Sequence, residues 1–450
     1  IWKDASPDYK NSPPVILQGH LDMVCEKDDK LEIDFHTDGL KLICDGDTIT
    51  ADGTTLGGDD GIAIAYCLAI LDSDKYVHPP LECVFTVDEE IGMLGAAALD
   101  TTPLRSKLLI NIDSEDEGHL LAGCAGGVTS RVHIPIVKNH IGISPNHQTS
   151  DINNPDAYKL IRISIDGLTG GHSGVEIDKG RANAIKLLGR VLFDLKKNAA
   201  YNLVRIEGGA KDNAIPRSAM TVILTKEVPE IKSVISEYNL TLKHEYSFTD
   251  PDLLLSVTDV DHMGPYIADM VELRAVCAFD DDSTDRVIAA LLSLPNGVID
   301  MCQTPKGMVQ TSLNLGILKS ENDEVIASFS VRSNIGSKKD ALVSNLECIA
   351  THLGGYIDNT GAYPAWEYSA TSKLRDIFLK GYKEQYGEDM IVETIHAGVE
   401  CGLFADKIED LDAVSFGPDM MDIHTPGEKL SVSSVKRTWD LLLGVLKELK

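Results

Sequence analysis

Short apolar runs, each followed within a few residues by acidic or imidazole side chains, constrain the fold of this chain more than any other feature. Three runs lie in the first 120 residues, at positions 15–17, 81–87 and 108–112. They have the length of buried strands, and the intervening segments 61–71 and 91–99 have the Ala, Leu and Ile spacing of helices. This alternation predicts an α/β fold, with a mixed, mostly parallel sheet sandwiched by helices.

The middle of the chain has a different pattern. Strand-like alternation at 159–165 and 327–331 is followed each time by a helical segment, at 182–195 and 339–353. We interpret these as two similar strand-and-helix halves of an inserted α+β domain.

The first pattern returns near the carboxyl end, with a strand at 413–416 and a closing amphipathic helix at 433–449 that has a serine at its start. A chain of 450 residues also exceeds the size of one hydrophobic core. We therefore expect residues 1–126 and 363–450 to form one domain in two parts, and residues 127–362 to form a domain inserted between them.

Charge and cysteine content narrow the function classes. The formal net charge is −29, which disfavours a nucleic-acid partner or an anionic membrane surface because both require clustered Lys and Arg. Nine cysteines without a CxxC pair indicate reduced thiols in a cytoplasmic protein, and disfavour a disulfide scaffold or a zinc ribbon. No secretion signal is visible in the given residues, and we expect none of their apolar runs to span a membrane.

At least one acidic side chain follows each of the three early strands, and a histidine also follows the first. His20 and Asp22 follow the first run, Glu89 and Glu90 the second, and Asp113 the third. The side-chain period of extended chain is two, so His20 and Asp22 point to the same side. Ligands of open parallel sheets lie beyond the carboxyl ends of the strands, so these five groups are expected to meet at one edge.

Two further positions add to this set: Asp59 and Asp60 at the start of a helix, and His424 in a loop after the late strand. Each has an ordinary explanation by itself, as a helix cap, a turn former or a loop histidine. Together, so many carboxylates would repel one another unless cations neutralised them. Two histidines with several carboxylates suit zinc, manganese or cobalt better than calcium. The sequence therefore predicts a site for two divalent metal ions.

The adjacent glutamates predict the type of reaction. Neighbours on irregular chain can point in different directions, so one of Glu89 and Glu90 can bind metal while the other stays free beside a metal-bound water. A bound metal lowers the pKa of water towards about 7, and a free glutamate can then take its proton and return it to a leaving amine.

Seven motifs extend this interpretation to nearly the whole chain: LQGHLDMVCEKD, TTLGGDDGIAIAY, DEEIGMLGA, NIDSEDEG, GGHSGVEID, HAGVECGLF and FGPDMMDIHTPGEKLSV. In this order they resemble the aminoacyl-histidine dipeptidases (Xaa-His or β-alanyl-histidine dipeptidases), cytosolic relatives of carnosinase and of di-zinc carboxypeptidases and acylases. The resemblance implies a dipeptide substrate, two zinc ions, and an inserted lid domain through which a homodimer forms.

The resemblance also implies the metal ligands, position by position. His20 and His424 match the imidazole ligands, one for each metal, and Asp59 matches the carboxylate that bridges them. Glu90 and Asp113 match the remaining ligands, again one for each metal.

Three further roles follow from the same motifs. Asp22 matches the aspartate that orients the imidazole of His20, and Glu89 matches the general base. His172 matches a group that polarises the scissile carbonyl, often of a partner subunit's substrate. The peptide bond between Asp59 and Asp60 is expected to be cis.

Substrate contacts are implied less fully. Asn213 and Arg332 match lid residues that hold the carbonyl and the carboxylate of the substrate, and the guanidinium fork of an arginine suits a carboxylate. An ordinary ion pair on a strand remains the alternative for Arg332. His396 and Glu400 are expected to line the substrate pocket without an assigned role.

Two departures from the family pattern are visible. The bridging motif reads Gly-Asp-Asp where relatives often have Ala-Asp-Asn, which leaves the role of Asp60 open. The family also has a helix and strands before the first metal-bearing strand, and these are expected to precede residue 1.

Three alternatives stay open at the level of sequence. An acylase or tripeptidase of the same clan would share the motifs, because specificity lies in lid contacts. A two-metal phosphoesterase would be expected to carry a GNH motif, which this sequence lacks. A non-catalytic metal-binding relative would typically lose the base or a ligand, whereas Glu89 and all five ligand positions are present.

Overall fold

The computed structural model describes residues 1–142, 158–260 and 275–450. The chain forms two compact units. The first comprises Ile1–Gly126, Thr304–Met308 and Tyr363–Lys450, and the second comprises Gly127–Gln303 and Val309–Ala362.

The strands are, in chain order, β1 (Trp2–Lys3), β2 (Val15–His20), β3 (Leu42–Asp45), β4 (Thr48–Ala51), β5 (Leu81–Thr86), β6 (Leu108–Asn111), β7 (His119–Cys124), β8 (Gly126–Pro135), β9 (Lys138–Gly142), β10 (Lys159–Asp166), β11 (Gly171–His172), β12 (Tyr201–Gly208), β13 (Ala214–Ile215), β14 (Ala219–Thr225), β15 (Leu254–Asp259), β16 (Ala275–Phe279), β17 (Gly297–Met301), β18 (Val309–Ser320), β19 (Glu324–Ser333), β20 (Tyr356–Tyr363), β21 (Ile391–Ile395), β22 (Asp412–Ser415), β23 (Met420–Met421) and β24 (Lys429–Ser431).

The α-helices are α1 (Gly58–Leu71), α2 (Leu94–Ala98), α3 (Ala184–Leu195), α4 (Val228–Glu245), α5 (Asp281–Ser293), α6 (Gly336–His352), α7 (Lys373–Tyr386), α8 (Glu400–Lys407) and α9 (Val432–Glu448). Short 3-10 turns lie at Pro7–Tyr9 and Ile177–Lys179. Within the described residues, no helix has both the length and the apolar composition needed to cross a membrane.

The main sheet of the first unit has the order β1-β5-β2-β6-β22-β7-β21. Strands β5, β2, β6 and β22 run parallel to one another, β21 runs parallel to β7, and β1 pairs antiparallel at the edge. A smaller antiparallel sheet has the order β23-β24-β4-β3. The predicted fold class, a mixed and mostly parallel sheet, is confirmed.

Helices cover both faces of this sheet, because successive side chains of a strand point to opposite sides. Val15 and Leu17 of β2 are buried in one apolar cluster with Phe378 of α7, whereas Ile16 is buried in another with Phe404 of α8. Each such side chain contributes roughly 1.5–3 kcal/mol when it is removed from water. Apolar packing thus stabilises the sheet on both faces.

Two helix predictions for this unit need correction. The segment 91–99 is helical only over Leu94–Ala98, because Gly92 and Met93 adopt positive φ angles and Gly95 packs against the backbone of Val87. The closing helix begins at Val432 instead of residue 433, and Ser431 is its cap, accepting a hydrogen bond from the backbone N–H of Ser434 at 3.2 Å.

The second unit contains a large sheet in the order β15-β10-β14-β12-β18-β19-β8-β20, with β17 paired to β18. Its apolar core joins Ile161 and Ile163 of β10 to Leu188 of α3, Ile231 of α4 and Leu346 of α6. Both predicted pairs of strand and helix are present, as β10 with α3 and β19 with α6.

Candidate metal centre

Parallel pairing brings the carboxyl ends of β2, β5 and β6 to one edge of the first unit's sheet. His20, the last residue of β2, lies opposite Thr86, the last residue of β5. Glu89 and Glu90 lie three and four residues beyond β5, and Asp113 lies two residues beyond β6. The local pattern of the strands therefore places these side chains beside one another.

His20, Asp59 and Asp113 form a first group whose ligand atoms all lie within 4.8 Å of one another. The Nε2 atom of His20 lies 3.0 Å from Oδ1 of Asp59 and 3.5 Å from Oδ1 of Asp113. His20 is almost fully buried, with 1% of its surface exposed. This group is a compact set of one imidazole and two carboxylates.

Asp59, Glu90 and His424 form a second group of the same kind. The Nε2 atom of His424 lies 3.2 Å from Oδ2 of Asp59 and 3.1 Å from the carboxylate of Glu90. Asp59 thus belongs to both groups, and its two oxygens face different imidazoles. A carboxylate placed in this way can bridge two cations.

Hydrogen bonds between acids and imidazoles shift the pKa values of this centre. Burial alone would lower the pKa of His20, but its hydrogen bonds to Asp113 and Asp59 outweigh burial and raise the pKa. Hydrogen bonds to Asp59 and Glu90 raise the pKa of His424 to about 10. Burial would raise the pKa of Asp59, but hydrogen bonds from both imidazoles lower it instead. Each imidazole and its neighbouring carboxylates thus stabilise one another electrostatically.

The remaining acids indicate that positive charge is still in short supply. Burial raises the pKa of Asp113 and of Asp60 well above the ordinary value, and neighbouring carboxylates add to both shifts. Asp60 and Asp22 each keep one buried carboxylate oxygen without a hydrogen-bond partner among the described residues. Divalent cations would supply the missing charge, and the imidazole and carboxylate donors are those that zinc and manganese accept. The residues therefore fit a two-metal centre.

Asp22 and Asp60 both contact residues of these two groups. The Nδ1 atom of His20 lies 2.9 Å from the backbone oxygen of Asp22 and 3.5 Å from its carboxylate. Asp22 also accepts a hydrogen bond from the backbone N–H of Glu90 at 3.1 Å, so it contacts both metal groups. Asp60 accepts from the backbone N–H of His20 at 3.2 Å, and the bond between Asp59 and Asp60 is cis, as the resemblance implies.

Glu89 lies close to these groups without belonging to either of those found among the described residues. Burial raises the pKa of Glu89 to about 7, and the carboxylates of Glu400, Glu90 and Asp59 contribute to this rise. A carboxylate with such a pKa can both accept and return a proton near neutral pH.

Three of the predicted substrate-contact residues lie in the second unit. His172 in β11 pairs with Ala214 of β13, so it lies next to Asn213, whose backbone oxygen accepts from Ser173 N–H at 2.9 Å. Burial lowers the pKa of His172, and the charge of Arg332 lowers it further. Arg332 is buried in β19. The structure thus places His172 within electrostatic range of Arg332 and beside Asn213.

Two buried glutamates carry connections that sequence analysis did not assign. Glu400, at the start of α8, accepts hydrogen bonds from Gln18 at 2.5 Å and from Thr86 at 2.7 Å, and Thr86 is the residue that pairs with His20 in the sheet. Glu428 accepts from four backbone N–H groups that lead into α1. Both lie within quoted motifs, but their partners are several hundred residues away.

His396, which was expected to line the substrate pocket, is buried in the first unit.

Comparison with known proteins places this geometry in a family. The model of the peptidase family M20/M25/M40 matches residues 16–448. The chain is 36% identical over 451 residues to the cytosol non-specific dipeptidase of Escherichia coli (strain K12), covering all of this chain and 88% of the relative.

Solved structures agree with this placement. The aminoacylhistidine dipeptidase of Vibrio alginolyticus is 35% identical, with a TM-score of 0.87 over all of this chain and 87% of that one. The aminopeptidase PepT of Bacillus cereus, at 16% identity and a TM-score of 0.50 over all of this chain and 83% of that one, is similar in fold. The predicted enzyme class, a metallopeptidase, is confirmed, and the chain belongs to the peptidase family M20/M25/M40.

Proposed function

We propose that this protein is a dipeptidase that hydrolyses Xaa-His and related dipeptides at a centre of two divalent cations. The observation that carries the proposal is the position of Asp59, whose two oxygens face the imidazoles of His20 and His424 at 3.0 and 3.2 Å. His20, Asp59 and Asp113 would hold one cation, and Asp59, Glu90 and His424 the other. The dipeptidase names of two relatives with at least 35% identity support the substrate class.

Zinc is the cation that we propose, with manganese or cobalt as the alternatives, because each group offers one imidazole and two carboxylates. When bound, the two cations supply Lewis-acid chemistry, which polarises the scissile carbonyl and lowers the pKa of water. The protein's own part is to fix these donors in place.

Glu89 is the proposed general base. Its carboxylate takes a proton from the attacking water and returns it to the amine nitrogen as the peptide bond breaks. The water thus supplies a hydroxyl group to the new carboxylic acid and a proton to the new amine. The pKa of about 7 that burial gives this group suits both transfers.

The second unit is the proposed lid. His172 would donate a hydrogen bond to the carbonyl oxygen of the substrate, and its lowered pKa favours the neutral imidazole that such a donor can use. Arg332 and Asn213 would bind the terminal carboxylate and the carbonyl of the dipeptide, and His396 would line the pocket. A homodimer through this unit and a cytoplasmic location are part of the same proposal.

Hydrolysis after chelation and metal restoration tests the function. The purified protein is stripped of metal, supplied with zinc or manganese, and assayed with Xaa-His dipeptides, other dipeptides, tripeptides and N-acyl amino acids. We expect dipeptides to be cleaved only after restoration. Cleavage of N-acyl amino acids or tripeptides in preference to every dipeptide would contradict the proposal.

A further inference from the structure

Glu428 makes an unusual set of contacts close to the metal centre. It is buried, with 3% of its surface exposed. Its Oε2 accepts hydrogen bonds from the backbone N–H groups of Leu56 at 2.6 Å and Gly57 at 3.0 Å. Its Oε1 accepts from those of Gly58 at 2.8 Å and Asp59 at 3.4 Å. One side chain therefore binds four consecutive N–H groups and ends at the shared aspartate of the two groups.

These contacts hold the turn that leads into the regular part of α1. Asp59 and Asp60 depart from helical φ and ψ, so a regular helix does not fix the N–H groups of residues 56–59 and they need another partner. Gly57, which precedes α1, has a φ of 70° that suits glycine, and it has no side chain to supply that partner. A side chain at Gly58 would place its Cβ 3.2 Å from Oε1 of Glu428. The glycines let the backbone close around this carboxylate.

Glu428 also lies in the loop that carries His424. This loop connects β23 to β24, and the backbone N–H of Glu428 donates to the oxygen of Thr425 at 3.2 Å. The same short loop thus provides an imidazole that faces Oδ2 of Asp59 and a carboxylate that binds the backbone of Asp59.

We propose that Glu428 is a positioning residue of the metal centre, whose carboxylate fixes the turn that bears Asp59 to the loop that bears His424. This inference rests on the proposed function only in taking those two residues as metal ligands. Its four backbone N–H donors stabilise the buried charge of Glu428. The residue therefore acts through geometry, and it does not need to contact a cation.

Glu428→Gln is the direct test. The carboxamide keeps the length of the side chain. Its NH₂ group, however, is a donor, and it replaces an oxygen that accepts hydrogen bonds from backbone N–H groups. The cation of the second group, which uses His424, should bind about 10- to 100-fold more weakly, the usual cost of removing a residue that orients a metal ligand. The cation of the first group should be less affected, so the variant should retain about one metal ion where the wild type retains two.

Glu82→Gln is the matched control. Glu82 is an equally buried glutamate of the same unit, with 3% exposure, and it accepts from the backbone N–H groups of Arg105 at 3.0 Å and Ser106 at 3.1 Å. It lies at the amino end of β5, opposite the end that carries the metal centre. Both variants should melt at a lower temperature than the wild type, but only Glu428→Gln should lose metal affinity.

The measurement is a zinc titration by calorimetry, with metal content determined after dialysis against a weak chelator. Two ions bound with unchanged affinity in Glu428→Gln, or an equal loss in Glu82→Gln, would overturn the inference. If Glu428→Gln does not fold, Gly58→Ala shifts the same carboxylate from the helix side and should weaken the same cation, and unchanged binding there would overturn it too. A wild type that binds no pair of ions refutes the proposed function itself, and the inference with it.

Discussion

Replacement of the proposed general base is the most direct test of the mechanism. In Glu89→Gln the side chain keeps its shape but can no longer take a proton from water. Because Glu89 belongs to neither metal group among the described residues, both ligand sets stay complete and metal content should remain at two ions. A positioned general base contributes about 10²- to 10⁴-fold to rate. The same carboxylate serves two proton transfers, so we expect a loss near the upper end, which corresponds to about 5.5 kcal/mol in the activation barrier.

Glu115→Gln is the control for this change. Desolvation of its carboxylate raises the pKa of Glu115 to about 7, as burial does for Glu89, and it interacts with the same charges of Asp59 and Glu90. It has no role in the proposed mechanism, so kcat should stay within about tenfold of the wild type. The assay compares kcat, KM and metal content of the two variants on a Xaa-His dipeptide. Near-normal turnover in Glu89→Gln, or an equal loss in Glu115→Gln, would refute the assignment.

Three other outcomes follow from the described contacts. Removal of metal should abolish hydrolysis and lower the melting temperature of the first unit, since a ligand at 100 times its Kd stabilises the folded state by about 2.7 kcal/mol. Calorimetry with and without chelator measures this change, and an unchanged melting temperature would contradict the prediction. Asp22→Asn should weaken metal binding about 10- to 100-fold, because Asp22 contacts both His20 and Glu90; a zinc titration with wild-type affinity would argue against this role. Phe378→Ala should destabilise the protein by about 3–5 kcal/mol, because the ring is fully buried and its centroid lies 4.8 Å from that of Phe416. Urea unfolding measures the loss of stability, and a loss below about 1 kcal/mol would contradict the prediction.

Local pattern was sufficient for the elements that build the sheet. The apolar runs before His20, Glu89 and Asp113 are strands β2, β5 and β6, within one to three residues of the predicted ends. Hydrophobic periodicity is a pattern within a short stretch of sequence, so it can be recognised without knowledge of distant contacts. The same pattern was misleading at residues 91–99, where close packing of Gly95 on Val87 limits the helix to one turn.

The candidate site divides in the same way. Sequence by itself determined which side chains stand at strand ends, and motif resemblance determined which of them to expect at a metal centre. Only the tertiary structure decided that the two oxygens of Asp59 face different imidazoles, that Asp60 accepts from the backbone N–H of His20, and that Glu428 binds the backbone of a turn 370 residues away. Such contacts depend on how distant elements pack, and hydrogen-bond partners separated by hundreds of residues leave no periodic signal in the chain between them.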